Sequence, residues 1–371
     1  MMNRTEIAVR TTLDKNPDGT YYGEAATDDD GTELDVPVWV RCEITVKGDT
    51  LKVDFSKSDK QRKGFVNCVF ATTFSNALSA LFMFMDPNLG EYHNEGSMRP
   101  ITIYAPPGSV VNAQYPAPVG ASPVSMGHQI IESVVMAMSQ AMPERAIACW
   151  GKRYEHYFFG LDPRTNEKYV VTTFDVAGGA GAVRGFDGYE GAISIGALGE
   201  VNRGNVEEVE MRFPWRSIRS EFATDTCGAG RWRGASGFHW EVENVGGDAG
   251  MATGSSDGEV VRAPGALGGE PTPNSRACLL RNGESSEIRA HRLYEIKPRD
   301  VIRKVSGGGA GVGNPAERDP EKVRWDIVNE FISVEKARDT YKVVVDPVSL
   351  TVDAEKTRAL RSQKPENPEP Q

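Results

Sequence analysis

One short segment brings together the residue types needed for acid–base chemistry. His93, Asn94, Glu95 and Arg99 fall within seven residues, with prolines on both sides that predict a loop. A desolvated carboxylate can hold a proton near neutral pH, and an arginine binds an anion through two hydrogen bonds. His93, Asn94 and Glu95 are therefore candidate catalytic residues, and Arg99 is a candidate substrate-binding residue. The structural alternative is an ion pair between Glu95 and Arg99.

A second set of candidates lies in the glycine-rich stretch 225–237. Arg231 and Arg233 flank Trp232, and in an extended segment both guanidinium groups are expected on one face. They are candidate groups for binding a phosphorylated or carboxylated intermediate, although pairing with the acidic groups of a partner is favoured. Asp225 is either a site carboxylate or, as we favour, a turn residue.

The chain shows no motif for binding a nucleotide or a metal. The glycine run 307–313 is followed by Asn-Pro instead of the Lys-Ser or Lys-Thr of a phosphate loop. The five histidines and five cysteines show no metal-ligand spacing. We therefore predict no metal ligand in this chain and no ATP bound by the chain alone. The acidic run 28–30 precedes a glycine and predicts a solvated turn.

Composition narrows the class of protein. The 371 residues are 39% hydrophobic and 25% charged, which is ordinary for a globular chain, and 39 glycines with 22 prolines predict many turns. A net charge of -10 disfavours nucleic acid as a partner. The chain has neither an apolar leader nor a run long enough to cross a bilayer, so we expect a cytoplasmic protein with no membrane contact.

Hydrophobic patterning predicts an α+β fold with mixed, turn-rich sheets, packed core helices and a short helical C-terminal region. Two hairpins are predicted, at 36–55 and 154–174, and two core helices, at 69–85 and 127–142. An Asp-Pro-Glu start predicts a helix over 320–330, and Ser333 and Asp353 are expected to cap two further helices. The chain is predicted to divide into an N-terminal α+β part (1–150), a glycine-rich β part (151–300), a helical part (301–363) and a disordered tail (364–371).

Seven segments, in order, resemble the hydantoinase B family, which includes the B subunits of ATP-dependent hydantoinases, 5-oxoprolinases and the acetone and acetophenone carboxylases. The segments span much of the chain: 53–67, 94–103, 105–119, 225–237, 264–269, 307–318 and 337–341. The resemblance implies that ATP and magnesium are held by a separate HyuA-like ATPase subunit. It also implies a further region ahead of the matching part, with ligands for a divalent metal such as Mn or Zn. Either that region belongs to a separate polypeptide, as in a split gene, or the chain is a truncated and inactive relative.

The resemblance implies a non-ATPase subunit of an enzyme that opens a cyclic amide such as hydantoin or 5-oxoproline. One alternative is a subunit of an ATP-dependent ketone carboxylase. A second alternative is a structural or assembly subunit without catalytic residues.

Overall fold

The computed structural model describes residues 1–172, 178–197, 204–254 and 256–363. The described strands form three sheets, and helices pack beside them, so the predicted α+β class is confirmed. The predicted tail, 364–371, lies outside the described residues. None of the helices within these ranges is long and apolar enough to cross a membrane.

The first sheet follows an N-terminal helix. Its four strands are antiparallel except for the last, which runs parallel to its neighbour. The predicted first hairpin is confirmed, with Lys47 opposite Thr50 and Gly48 at φ +54° in the turn. The elements are α1 (Met2–Leu13), β1 (Gly19–Thr27), β2 (Val38–Lys47), β3 (Thr50–Asp54) and β4 (Ile101–Tyr104).

Both predicted core helices are present. The longer helix, at 127–141, packs on one face of the sheet. A β-carbon at Gly23 in β1 would lie 1.9 Å from the carbonyl oxygen of Ser133 in that helix. The glycine therefore lets helix and strand approach closely. The helices of this part are α2 (Phe70–Phe82), α3 (Leu89–Tyr92), α4 (Ser122–Ser125) and α5 (Gly127–Ala141).

The second and third sheets share one hydrophobic core. The strand orders are β11-β10-β13-β8-β7 and β12-β9-β5-β6, and the aromatic side chains of Phe158, Trp215 and Trp240 pack at their centre. The predicted second hairpin is confirmed as β5 and β6. The elements are β5 (Tyr157–Asp162), β6 (Glu167–Val171), α6 (Val206–Arg212), β7 (Trp215–Ala223), β8 (Gly237–Asn244), β9 (Ala249–Ala252), β10 (Arg276–Arg281), β11 (Glu284–Ile288), β12 (Leu293–Ile296) and β13 (Val301–Val305).

Five extended segments outside the sheets pack backbone against backbone, and we call them the glycine lattice. Ala182 donates to Ala310 and Ala310 donates to Cys149, so the hydrogen bonds run from segment to segment. A β-carbon at Gly309 would lie 1.8 Å from the carbonyl oxygen of Ala180, which no side chain tolerates. The glycine blocks of the sequence therefore serve close packing of backbones. The segments are 146–151, 178–183, 226–237, 263–270 and 306–313.

Three short helices end the described chain, each with the predicted cap. The side chains of Asp319, Ser333 and Asp353 accept hydrogen bonds from backbone N–H groups in the first turns. A small hydrophobic core that includes Cys227 and Tyr341 joins these helices to the glycine lattice. The helices are α7 (Pro320–Val328), α8 (Val334–Asp339) and α9 (Ala354–Ser362).

Candidate functional site

The candidate acid–base loop lies at the surface against α1. The Asn94 side-chain oxygen accepts from the backbone N–H of Gly96 at 2.9 Å and from the Thr5 hydroxyl at 2.8 Å. Arg99 forms an ion pair of 3.0 Å with Glu6 of α1, and Glu95 is exposed. The ion pair considered from the sequence, between Glu95 and Arg99, is thus replaced by one between Glu6 and Arg99.

His93 is an exposed residue of the same loop. Its Nδ1 lies 2.6 Å from the Ser97 hydroxyl, and its ring meets the Phe82 ring edge-on with 4.7 Å between centroids. The structure therefore brings His93, Asn94, Glu95 and Arg99 into one surface loop. It leaves Asp225, Arg231 and Arg233 in a different part of the fold. A catalytic role for the loop stays a prediction.

Asp225 joins the glycine lattice to the C-terminal helices. Its backbone has φ +60°, its carboxylate accepts from the Ser333 N–H at 2.8 Å, and its carbonyl oxygen accepts from the Lys336 ammonium at 3.1 Å. Aspartate tolerates this left-handed conformation better than most residues do. The contacts are those of a turn residue that positions α8.

Arg231 and Arg233 have different environments, although an extended stretch predicts one common face. The Arg231 side chain is 53% exposed, lies over the Trp232 ring and is 3.7 Å from Glu317. The Arg233 side chain is 4% exposed, and it binds Asp326 at 2.8 Å and Glu190 at 2.7 Å. Arg231 is therefore available at the surface, whereas Arg233 is committed to internal ion pairs.

Arg233 belongs to a buried cluster that we call the arginine network, formed by Asp187, Glu190, Arg233, Arg318 and Asp326. Arg318 makes two hydrogen bonds to Asp187, of 2.7 and 2.9 Å, and two to Asp326, of 2.8 and 3.2 Å. Burial favours the neutral acid, but hydrogen bonds from Arg318 prevail and lower the pKa of Asp187. Asp187 therefore favours its ionised form, and the ion pairs with Asp326 tie α7 to the lattice.

A second buried cluster lies where the end of β1, the first turns of α5, the segment 149–156 and the loop 253–261 meet. We call it the polar junction and define it as Asp28, Gln129, Glu132, Lys152 and Asp257. All five residues are buried. They come from positions up to about 230 residues apart, so no local sequence motif signals their contact. Only the folded chain brings them together.

Hydrogen bonds join the residues of the polar junction in two sets, one around Lys152 and one around Asp257. The Lys152 ammonium contacts Glu132 at 2.5 Å and donates to the Ala26 carbonyl oxygen at 3.0 Å. One oxygen of Asp257 accepts from the Asp28 N–H at 2.7 Å, and the other accepts from the Gln129 amide at 2.6 Å. The second amide atom of Gln129, its oxygen, is buried without a hydrogen-bond partner.

The acidic run 28–30 is buried, so the predicted solvated turn is wrong. The exposed fractions are 2% for Asp28, 2% for Asp29 and 4% for Asp30. The Asp28 carboxylate accepts three backbone N–H groups from residues 259–261, at 2.6 to 3.1 Å. Backbone donors thus replace water around the charge, which lets an acidic run lie inside the fold.

The polar junction has more acids than bases. Burial raises the pKa of Asp257 well above its usual value, and the neighbouring Asp28 charge adds to that rise. Burial opposes the charge of Lys152, but the carboxylates of Glu132 and Asp257 prevail and raise its pKa. Burial raises the pKa of Glu132 too, so the fold opposes ionisation of both acids that face Lys152. All of these groups are enclosed, which keeps them away from any substrate.

Among the described residues, no group of three or more His, Cys, Asp or Glu side chains is placed to hold a metal ion. An open cleft of about 640 Å³ between the start of α7 and α9 is lined by Asp319, Glu321, Arg358 and Arg361, among others. None of the candidate site residues lines that cleft.

The fold is that of one known family. A sequence profile of the Hydantoinase B/oxoprolinase family matches residues 1–315, so the chain belongs to that family, as its motifs predicted. The chain is 30% identical over 346 residues to the beta subunit of the caprolactamase of Pseudomonas jessenii, a match covering 91% of the chain and 59% of that protein. It is also 30% identical over 380 residues to the B subunit of a putative D-/L-hydantoinase of Pseudomonas sp. strain NS671, covering 97% of the chain and 61% of that protein.

Solved structures share the fold. The crystal structure of the ATP-dependent caprolactamase from Pseudomonas jessenii superposes with a TM-score of 0.85 at 28% identity, covering 98% of the chain and 63% of that structure's chain. A nucleotide-free acetone carboxylase gives a TM-score of 0.84 at 18% identity, covering 96% and 54%, which is a likeness of fold alone. The chain therefore spans about three fifths of the length of the two curated relatives named above.

Proposed function

We propose that the chain is a non-ATPase subunit of a cytoplasmic, ATP-dependent, multi-subunit enzyme that hydrolyses a cyclic amide. The main support is its likeness to the caprolactamase beta subunit, which combines 30% identity over 91% of the chain with a shared fold. The name of that relative indicates a lactam, and the hydantoinase relative indicates a second cyclic amide. Hydantoin, 5-oxoproline and caprolactam are the substrates to test.

In this proposal ATP reacts at a partner, and this chain supplies one wall of the reaction chamber. Phosphorylation of the amide oxygen converts a poor electrophile into one that water can attack. A HyuA-like ATPase subunit holds ATP and magnesium, and a separate polypeptide equivalent to the rest of the relatives carries any divalent metal. The two curated relatives extend beyond the matched part, since this chain covers about three fifths of each.

Within this chain, we propose that the exposed loop residues face the chamber. His93 and Glu95 exchange protons with the reacting amide, Asn94 orients the loop, and Arg99 attracts the anionic intermediate. Arg231 contributes a second exposed cation, whereas Arg233 and Asp225 hold the surrounding backbone in place. Exposure of Glu95 and Arg99 leaves both side chains free to meet a partner's surface.

Two alternatives have their own support. An acetophenone carboxylase delta subunit of Aromatoleum aromaticum is 27% identical over 191 residues, which favours a ketone carboxylase as the second candidate. That match covers 43% of the chain, against 91% for the caprolactamase beta subunit. A noncatalytic assembly subunit is the third candidate, because the candidate loop at 93–99 and the candidate residues Asp225, Arg231 and Arg233 lie in different parts of the fold.

The test is co-expression with the adjacent genes that encode A-like and B-like proteins, followed by ATPase assays of the purified complex. We expect hydantoin, 5-oxoproline or caprolactam to stimulate ATP cleavage with release of the ring-opened acid. Stimulation by acetophenone and bicarbonate instead would establish the carboxylase. If Glu95→Gln leaves the turnover of an active complex unchanged, Glu95 has no catalytic role. Glu207→Gln is the matched control, because Glu207 is also exposed, and it should not change turnover.

A further inference from the structure

The composition of α2 does not match its position in the fold. Residues 64–85 contain no Asp, Glu, Lys or Arg; the polar residues of α2 are Thr, Ser and Asn, and a helix without charged side chains is normally buried over most of its surface. The sequence accordingly predicts a core helix. In the structure only one side of α2, which includes Ala77 and Leu81, faces the core.

The opposite side of α2 is exposed and aromatic. We define the α2 face as Phe65, Val69, Phe70, Phe74 and Tyr115. The exposed fractions are 61% for Phe65, 37% for Val69, 40% for Phe70 and 98% for Tyr115, and Phe74 is half-buried beside Phe70 with 6.1 Å between ring centroids. Single exposed apolar residues are ordinary, but a cluster of aromatic residues without a charge among them marks an interaction surface.

A second uncharged segment extends the α2 face. Residues 101–131 also lack Asp, Glu, Lys and Arg. This segment is fixed to the start of α2, because Ala113 donates to the Cys68 carbonyl oxygen and the Ser122 hydroxyl accepts from the Val69 N–H. Tyr115 follows the anchored Ala113 by two residues and is 98% exposed, so it lies near the start of α2.

The length of the relatives identifies what covers this face. About two fifths of the caprolactamase beta subunit lies outside the match, although the shared part has the same fold. That remainder has to pack on the shared part, and a helix with an uncharged aromatic exterior is a suitable surface. We propose that the α2 face binds the polypeptide equivalent to this remainder. The inference rests on the proposed function, because it names one partner of the proposed enzyme.

The first experiment measures assembly with substitutions on the α2 face. The chain is co-expressed with the product of the neighbouring gene whose sequence is similar to the remainder of the caprolactamase beta subunit, and the dissociation constant is measured by titration. We expect Phe70→Glu and Tyr115→Glu each to weaken binding by about tenfold or more, since a buried unpaired carboxylate is costly. Val170→Glu is the matched control, because Val170 is 70% exposed on β6, and it should bind as the unmodified chain does.

The second experiment identifies the occupant directly. A photo-crosslinking phenylalanine analogue replaces Tyr115 or, as control, Val170 in the co-expressed complex, and the crosslinked peptides are sequenced. The proposal requires that position 115 joins the remainder polypeptide and that position 170 does not. Crosslinks from position 115 to a second copy of this chain or to lipid would overturn it, as would a source genome without any gene for the remainder.

Failure of this inference is distinguishable from failure of the proposed function. If Phe70→Glu disrupts a stable complex that is inactive on every cyclic amide, the proposed function is wrong and the binding role of the α2 face is supported. If an active complex incorporates the Phe70→Glu chain normally, the α2 face is not the binding surface and the proposed function is supported. Equal unfolding temperatures of the isolated Phe70→Glu variant and the unmodified chain exclude misfolding as the cause.

Discussion

The arginine network and the polar junction both accommodate carboxylates inside the protein, but they do so with different cations. Both place several carboxylates inside the protein, and both have more acids than bases. In the network, two arginines make several hydrogen bonds to their acids, and Asp187 and Glu190 keep side-chain exposures of 29% and 23%. In the junction, one lysine faces Glu132 and Asp257, and every member is almost fully buried.

The difference lies in which protonation state the fold favours. Planar guanidinium groups bind carboxylates through paired hydrogen bonds, so the network stabilises ionised acids. In the junction, one ammonium group faces two of the three acids, and burial raises the pKa of Asp257, so the fold disfavours its ionised form. We conclude that the ion pairs of the network hold α7 against the glycine lattice at neutral pH, whereas the contribution of the junction to stability depends on pH.

The largest effect is expected from Arg318→Met. The substitution leaves Asp326 buried with Arg233 as its remaining cation, and breaking a buried ion pair costs about 3–5 kcal/mol of unfolding free energy. Denaturant titration measures the loss. Arg324→Met is the control, since its ion pair with Glu321 on the same helix is exposed. Equal losses in the two variants would contradict a special role for the network.

An intermediate effect that depends on pH is expected from Asp257→Asn. The pKa of Asp257 is raised in the fold, so its stabilising contribution is complete below about pH 4 and declines as the pH rises towards the folded value. Asparagine cannot ionise, and a flip of the Gln129 amide would give its unpaired oxygen a donor. The variant should therefore gain in unfolding temperature relative to the unmodified chain from pH 5 to pH 9. If the difference in unfolding temperature between the variant and the unmodified chain is constant over this pH range, the pKa of Asp257 is not raised in the fold.

Asp187→Asn should show the opposite dependence and so sharpens the comparison. The pKa of Asp187 is lowered in the fold, so its contribution is present above about pH 4 and is lost as the pH falls through the folded value. The variant should be less stable than the unmodified chain at pH 7, and the gap should close in acid. The same thermal scans, extended to pH 3, measure it.

The smallest effect is expected from Arg99→Ala. Arg99 and Glu6 form an exposed ion pair at the surface of α1, and such pairs contribute little to stability. The unfolding temperature of the isolated chain should not change measurably. Because stability is unaffected, a fall in the turnover of the assembled enzyme would then report a role in substrate binding. A clear loss of stability would instead make Arg99 a structural residue.

Local signals in the sequence are enough to predict much of the fold. The uncharged apolar run predicts α2, and the helical spacing of apolar residues in 127–142 predicts α5. The Lys-Gly-Asp turn predicts the first hairpin, and Asp319 predicts the start of α7. The helix α1 is not among the predicted elements, although Thr5, Val9 and Leu13 recur every four residues and are its buried face. Its polar exterior hides that spacing.

The two charge clusters could not be predicted from the sequence. Arg233 is a candidate on sequence grounds, but its partners Asp187 and Asp326 lie far from it in the chain. The acidic run at Asp28 predicts a solvated turn, because no local pattern reveals that the N–H groups of 259–261 enclose it. Contacts of this kind depend on the closure of the whole fold, which hydrophobic periodicity does not encode.

The glycine lattice limits where a sequence with this fold can change. Its geometry is set by main-chain atoms in direct contact, with no room for a new side chain at positions such as Gly234 and Gly309. Substitutions are therefore tolerated where side chains point away from these contacts and not at the contacts themselves. A protein can then differ at about four of every five aligned positions, as the acetone carboxylase structure does, and still share the fold.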